Sequence, residues 1–142
     1  METIYLENSI TKSLKNLIED ANFDYVNPDI LNQFGNEKPI LGKINCRVFH
    51  FGKPTVSAEV EKSIYDEGYE PASIFELIGF AIELPKFQCS TPVVALGSKW
   101  QHSKEDFMVP ALWGGTNSRE LNLCSRGTHW FKDDVFLARK IR

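Results

Sequence analysis

Hydrophobic and polar positions change period several times along the chain, and each change marks an element. Ile10, Leu14, Leu17 and Ile18 recur at i, i+4, i+7 and i+8 behind Ser9, which predicts a capped helix over residues 10–20. Asn27 and Pro28 supply a cap and a first-turn proline for a short helical turn carrying Ile30, Leu31 and Phe34, stopped by Gly35. From Ile44 to Phe51 the period drops to two. Ile44, Cys46, Val48 and His50 share one face and Asn45, Arg47, Phe49 and Phe51 the other, which is the pattern of a strand. Thr55 is placed to cap a second helix over 56–67 through Val56, Val60 and Ile64, with Gly68 just past its end. After Pro71, the run Ser73-Ile74-Phe75-Glu76 reads as a capping box that opens a third helix from Ile74 to Leu84, ended by Pro85.

Beyond this helix the pattern breaks into short apolar runs, Val93–Leu96, Phe107–Trp113, Arg119–Cys124 and Val135–Ile141, separated by Gly, Ser, Asn and Asp clusters. The fold class expected is α+β, with amino-terminal helices followed by a mainly antiparallel sheet. No repeat, low-complexity tract or flexible linker interrupts it, so residues 1–142 read as a single compact domain.

Composition adds limits. The longest apolar stretch, Ile74 to Leu84, carries Glu76 and Glu83 and falls short of the roughly 18 apolar residues that span a bilayer, so no membrane partner is expected. The start, Met1 to Glu7, lacks the basic and apolar regions of a secretory signal. Cys46, Cys89 and Cys124 are too few and too scattered for a disulfide framework, and the expectation is a cytoplasmic protein with reduced thiols. The net charge of -3 hides an asymmetry: residues 1–71 hold 7 Lys or Arg against 12 Asp or Glu, whereas residues 72–142 hold 9 against 7. A polyanion would prefer the second half.

Candidate chemistry is sparse. Cys46, His50, Cys124 and His129 match the donor types of a zinc site, but strand residues four apart lie about 13 Å from each other, so Cys46 and His50 cannot chelate one ion directly. Cys89, in the loop Phe87 to Pro92, is the best candidate nucleophile if a histidine lies beside it, and it reads otherwise as a small hydrophobe entering a strand. Phosphate-loop, dinucleotide, zinc-protease and serine-hydrolase motifs are all absent. Gly97-Ser98 and Gly114-Gly115-Thr116-Asn117 read as hairpin turns, and the acid pairs Glu105-Asp106 and Asp133-Asp134 as solvated turn residues. No cofactor, metal or catalytic residue is assigned.

The remaining feature is a surface. Arg119, Arg126, Lys132, Arg139, Lys140 and Arg142 interleave with His129, Trp130 and Phe131, and such mixtures hold phosphates, stack bases or anchor protein interfaces. Trp100 and Trp113, beside polar or Gly-rich turns, are further candidate anchors. The contact residues expected are therefore Trp100, Trp113, Arg119, Arg126, His129, Trp130 and Lys132.

The stretch Gly68-Tyr69-Glu70-Pro71-Ala72-Ser73-Ile74-Phe75-Glu76-Leu77, with the closing run Val135 to Arg142, resembles the helix entry and terminal strand of bacterial C-type-lectin-like modules. The resemblance covers residues 68–142. It implies a scaffold that presents loops to a partner. Glu70 stands where an Arg often precedes the Pro, and no sugar or calcium motif matches, so no such site is implied. Together these features point to a non-catalytic module that recognises a protein or ribonucleoprotein, a class that includes phage- or mobile-element-type inhibitors. The basic carboxyl-terminal segment is the place for any direct nucleic-acid contact. The rival readings are a small enzyme using a Cys/His site and a single-stranded nucleic-acid binder.

Overall fold

Val135 to Ala138 are four consecutive buried apolar residues because their strand is covered on both faces. That strand, β9 (Val135–Lys140), occupies the middle of a nine-stranded mixed sheet in a computed structural model that describes residues 4–127 and 129–141. Arg142 lies outside the described residues. The sheet runs β1 (Tyr5–Ile10), β3 (Gly42–His50), β9, β5 (Val93–Val94), β7 (Asp106–Gly115), β8 (Ser118–Ser125) and β2 (Tyr25–Val26). Two short strands complete it, β4 (Tyr69–Pro71) on β9 and β6 (Trp100–Ser103) on β7. The pairs β5–β9 and β2–β8 are parallel and the others antiparallel.

Alternation along the central strands divides the interior in two. Ile44, Cys46, Val48, Val93, Leu112, Leu121, Val135 and Leu137 join one buried cluster with α1 (Leu14–Ala21), α2 (Asp29–Phe34) and α4 (Ile74–Glu83). Phe49, Val94, Val109, Ala111, Phe136 and Ala138 join the other, with Val60 and Ile64 of α3 (Ser57–Asp66) and with Trp130. Among the described residues the second face has one helix over it, and its β7–β8 end is left to the segment that precedes β9.

The α+β class stands, but the helices do not precede the sheet. Ile10 ends the first strand instead of opening a helix, and α1 starts at Leu14, with Ser13 in place of Ser9 accepting from the Asn16 amide. Ile10 and Leu14 fit one helical stripe in sequence because both point into the same cluster from different elements. In α3, Val56 holds the cap position and the Thr55 hydroxyl donates to the Glu59 carboxylate. Cys89 closes a 3-10 turn, Phe87–Cys89, and does not enter a strand. Gly114 to Asn117 do form the β7–β8 hairpin turn. Gly97 and Ser98 do not form a β5–β6 hairpin, since both of those strands pair with β7. They tuck under the start of α4, where the Ser98 hydroxyl accepts from the Ile74 amide at 2.8 Å and donates to Glu37 at 2.6 Å. No helix among the described residues is long and apolar enough to cross a membrane.

Helix α4 is the hub, buried from Ile74 through Ala81. Its capping box is present as read: Ser73 Oγ accepts from Phe75, and Glu76 accepts from the Ser73 amide at 2.9 Å. Glu76 is wholly buried, and a buried carboxylate requires a cation and full hydrogen bonding. Arg139 of β9 provides the cation, with Nη1 on Glu76 at 2.9 Å and Nε on Glu70 at 2.8 Å. The Ser73 hydroxyl and the positive end of the helix add to this. A Cβ at Gly79 would meet the Asn8 side chain at 2.9 Å, so a larger residue there would have to displace Asn8 from its hydrogen bond to Glu76 O.

Candidate functional site

Register places four residues in one row at one end of the second face. Trp113 lies opposite Glu120 across β7 and β8. Val93 pairs with both Leu112 and Val135, so the residues one step further out, Trp113, Pro92 and Asp134, are neighbours in turn, and the Val135 amide donates to Pro92 O. Each lies two residues from a member of the second cluster, Ala111, Val94 and Phe136, and so shares that face. With strands about 4.8 Å apart, the row spans roughly 10 Å from Trp113 to Asp134.

The segment before β9 folds over this end and makes a hollow lined by Pro92, Val94, Trp113, Cys124, Trp130, Phe131 and Asp134. Trp130 is its floor and Phe131, 75% exposed, its rim. Trp113 is 36% exposed. Gln88, itself buried, holds the sheet end in place by donating to the carbonyls of Trp113 and Glu120 at 2.8 and 3.0 Å. Asp134 accepts from the Phe131 amide at 2.8 Å, which fixes the turn, and no described cation pairs with it. Burial raises its carboxyl above the ordinary range, opposed by the Phe131 hydrogen bond and reinforced by Asp133. Burial, with Asp134 nearby, also pushes the Cys124 thiol up to about 12.

The seven expected contact residues do not form one surface. Trp113 and Trp130 meet in the hollow, and His129 and Lys132 are exposed on the segment that roofs it. Trp130 is corrected from surface anchor to core. It is 4% exposed, its indole donates to Ser57 Oγ at 2.9 Å, its backbone exchanges two hydrogen bonds with Thr55, and its ring meets Phe136 edge-on at 5.4 Å. Arg119 is a clamp inside the fold: its guanidinium donates to the carbonyls of Ala21, Ala81 and Pro85 at 2.6, 2.9 and 2.7 Å and lies over Phe23. It thereby satisfies carbonyls at the ends of α1 and α4. Arg126 forks onto Glu61 at 2.8 and 3.1 Å. Trp100 is half-buried on β6, with its ring edge-on to His102 at 4.9 Å.

The other candidate chemistry disperses. Burial pushes the Cys46 thiol up to about 12, with Glu76 adding to the effect, and His50 faces outward, its Nε2 3.0 Å from Lys132 O. Cys89 borders a shallow depression with Lys86, Thr116, Asn117 and Arg119, and no described histidine lines it. Among the described residues no three His, Cys, Asp or Glu side chains gather as a metal site would require.

Pro92 and Gln88 carry no signal by residue type, and Asp134, expected with Asp133 to be a solvated turn residue, is half-buried at the edge of the hollow. The available signal was parity: two residues before Val94, before Phe136 and after Ala111 lie Pro92, Asp134 and Trp113. Register is needed to join them. No family model matches the chain, and neither the curated proteins nor the solved structures contain a match to it.

Proposed function

We propose that the protein is a non-catalytic binding module that docks a macromolecular partner, a protein or the protein part of a ribonucleoprotein, on the hollow between Trp113 and Phe131. The observation that carries this reading is the pair of exposed rings. Elsewhere the same sheet face lies under α3, whereas here Phe131 projects 75% exposed beside Trp113. Aromatic rings around a concave, well-packed floor are the usual anchors of protein interfaces.

Two further facts favour a protein over a polyanion and over a substrate. Arg119, Arg126 and Arg139 hold internal carbonyls or carboxylates, which removes most of the basic segment's guanidinium groups from phosphate binding. Cys89, the candidate nucleophile, borders a depression lined by Lys86, Thr116, Asn117 and Arg119, with no described histidine there to act as its base. The elements that carry the resemblance to C-type-lectin-like modules, α4 and β9, are core here, so in this reading they supply scaffold and no binding site. A cytoplasmic inhibitor of the phage or mobile-element type fits the class.

The test is affinity capture of the tagged protein from cytosol, with and without nuclease, comparing the parent with Trp113→Ala, Phe131→Ala and, as a remote control, Tyr65→Ala. Tyr65 is exposed on α3. A stoichiometric protein that survives nuclease, and is lost from the first two variants only, supports the reading. Equal recovery by all three variants contradicts it.

A further inference from the structure

The hollow is apolar in its walls and acidic at its edges. Trp113 lies between Glu120 on one side and Pro92 and Asp134 on the other, with Phe131 over the top and Asp133 next in the chain. None of these three acids has an ion pair among the described residues, and Lys132, the nearest cation in sequence, is exposed and unpaired with them. Other acids drawn out of water do have a cation: the half-buried Glu61 pairs with Arg126, and the half-buried Glu70 and wholly buried Glu76 pair with Arg139. A carboxylate drawn out of water without a cation is costly, and the raised Asp134 carboxyl reflects that cost.

We propose that the hollow receives the guanidinium of an arginine side chain from the partner protein, stacked on Trp113 and Phe131 and hydrogen-bonded to Asp134. The arrangement suits that group. A planar cation stacks on aromatic faces while its edge donates to a carboxylate, and Trp is the best of the rings for it. Trp113 and Asp134 stand two strands apart in the row with the small Pro92 between them, and ring and acid border the same hollow. Glu120 completes a negative rim that steers a basic segment toward the site. This rests on the hollow being the docking face, and names what enters it.

The probe is N-acetyl-arginine methylamide, set against N-acetyl-citrulline methylamide, which has nearly the same shape and no charge. The indole N–H signals of the full chain are followed by NMR. Trp100 serves as internal control, since it pairs with Met108, about 17 Å along β7 from Trp113. The expected result is a saturable shift at Trp113, with Trp100 unmoved and a dissociation constant on the order of 1 mM, as befits a single side chain. Citrulline should bind roughly tenfold or more weakly, the loss of one charge-assisted hydrogen bond. Asp134→Asn should weaken arginine by a similar factor while keeping its bond to the Phe131 amide, and an unmoved Trp100 signal with an unchanged melting temperature in the variant shows that the fold is intact. Equal binding of the two probes, an unchanged affinity in Asp134→Asn, or no saturable shift would each overturn the assignment. If Trp113→Ala loses the captured partner while Asp134→Asn keeps it, the docking face stands and the guanidinium does not.

Discussion

Replacing Arg139 by Met should be among the most damaging single changes in this chain. The side chain is 19% exposed and its two ion pairs, to Glu76 and Glu70, are both under 3 Å. Met keeps the aliphatic volume and removes the charge, leaving Glu76 wholly buried, with Ser73 its sole remaining donor among the described residues. Removing one partner of a buried pair typically costs about 3–5 kcal/mol, because the stranded charge keeps its desolvation penalty. Against a usual domain stability of about 5–15 kcal/mol, that is a third or more of the total in a middling case. For a chain of this length the melting temperature should fall by roughly 10–15 °C. The assay is urea and thermal unfolding by circular dichroism on the parent, Arg139→Met, Glu76→Gln and the double variant. The double variant should recover a large part of the loss, since Gln still accepts from Ser73 and leaves no charge behind, with a coupling of about 1–3 kcal/mol. A loss below about 1 kcal/mol in Arg139→Met, or strict additivity in the double variant, would refute the reasoning.

Other outcomes follow from the same contacts. Glu37 is raised chiefly by burial, against the Ser98 hydrogen bond. A raised carboxyl binds its proton more tightly in the folded state, so its contribution falls as pH climbs from the ordinary carboxyl range through the folded value and is flat above it. Glu37→Gln should therefore match the parent in acid and exceed it near neutrality, and a parent that gains on the variant as pH rises would contradict this. Trp130→Ala should cost about 3–5 kcal/mol in urea unfolding, whereas Phe131→Ala should stay within about 0.5, and the reverse order would undo the assignment of core and rim. Arg119→Lys should lose about 1–3 kcal/mol despite keeping its charge, because one ammonium cannot reach carbonyls of both helices, and an unchanged denaturation midpoint would count against the clamp.

Local chemistry was readable from the sequence and tertiary partnership was not. The capping box at Ser73 and Glu76 came through intact because its atoms lie within three residues. Strand β3 was visible as a clean alternation, while β1, β2, β4 and β6 are short or polar-rich and carry little pattern of their own. The start of α1 was misplaced because Ser9 and Ser13 offer the same cap four residues apart, and the distinction lies in Ile10 pairing with Gly42. Residue type alone marks Arg119 and Trp130 as contacts. Their actual partners, Ala21 and Ser57, are 98 and 73 residues away in the chain, beyond any local rule. The hollow is half legible: Trp113 stands out by residue type, but Pro92 and Asp134 join it only through the register of three strands.

The most direct test of the docking face is site-specific photo-crosslinking in cytosol treated with nuclease, with the reactive side chain placed at Phe131 or, as control, at Tyr65. Both positions are exposed, 75% and 52%, so accessibility alone does not favour either strongly. The account predicts one discrete protein adduct from position 131 that Trp113→Ala abolishes, and none from position 65. An adduct formed equally at both positions, or at 65 alone, would contradict it.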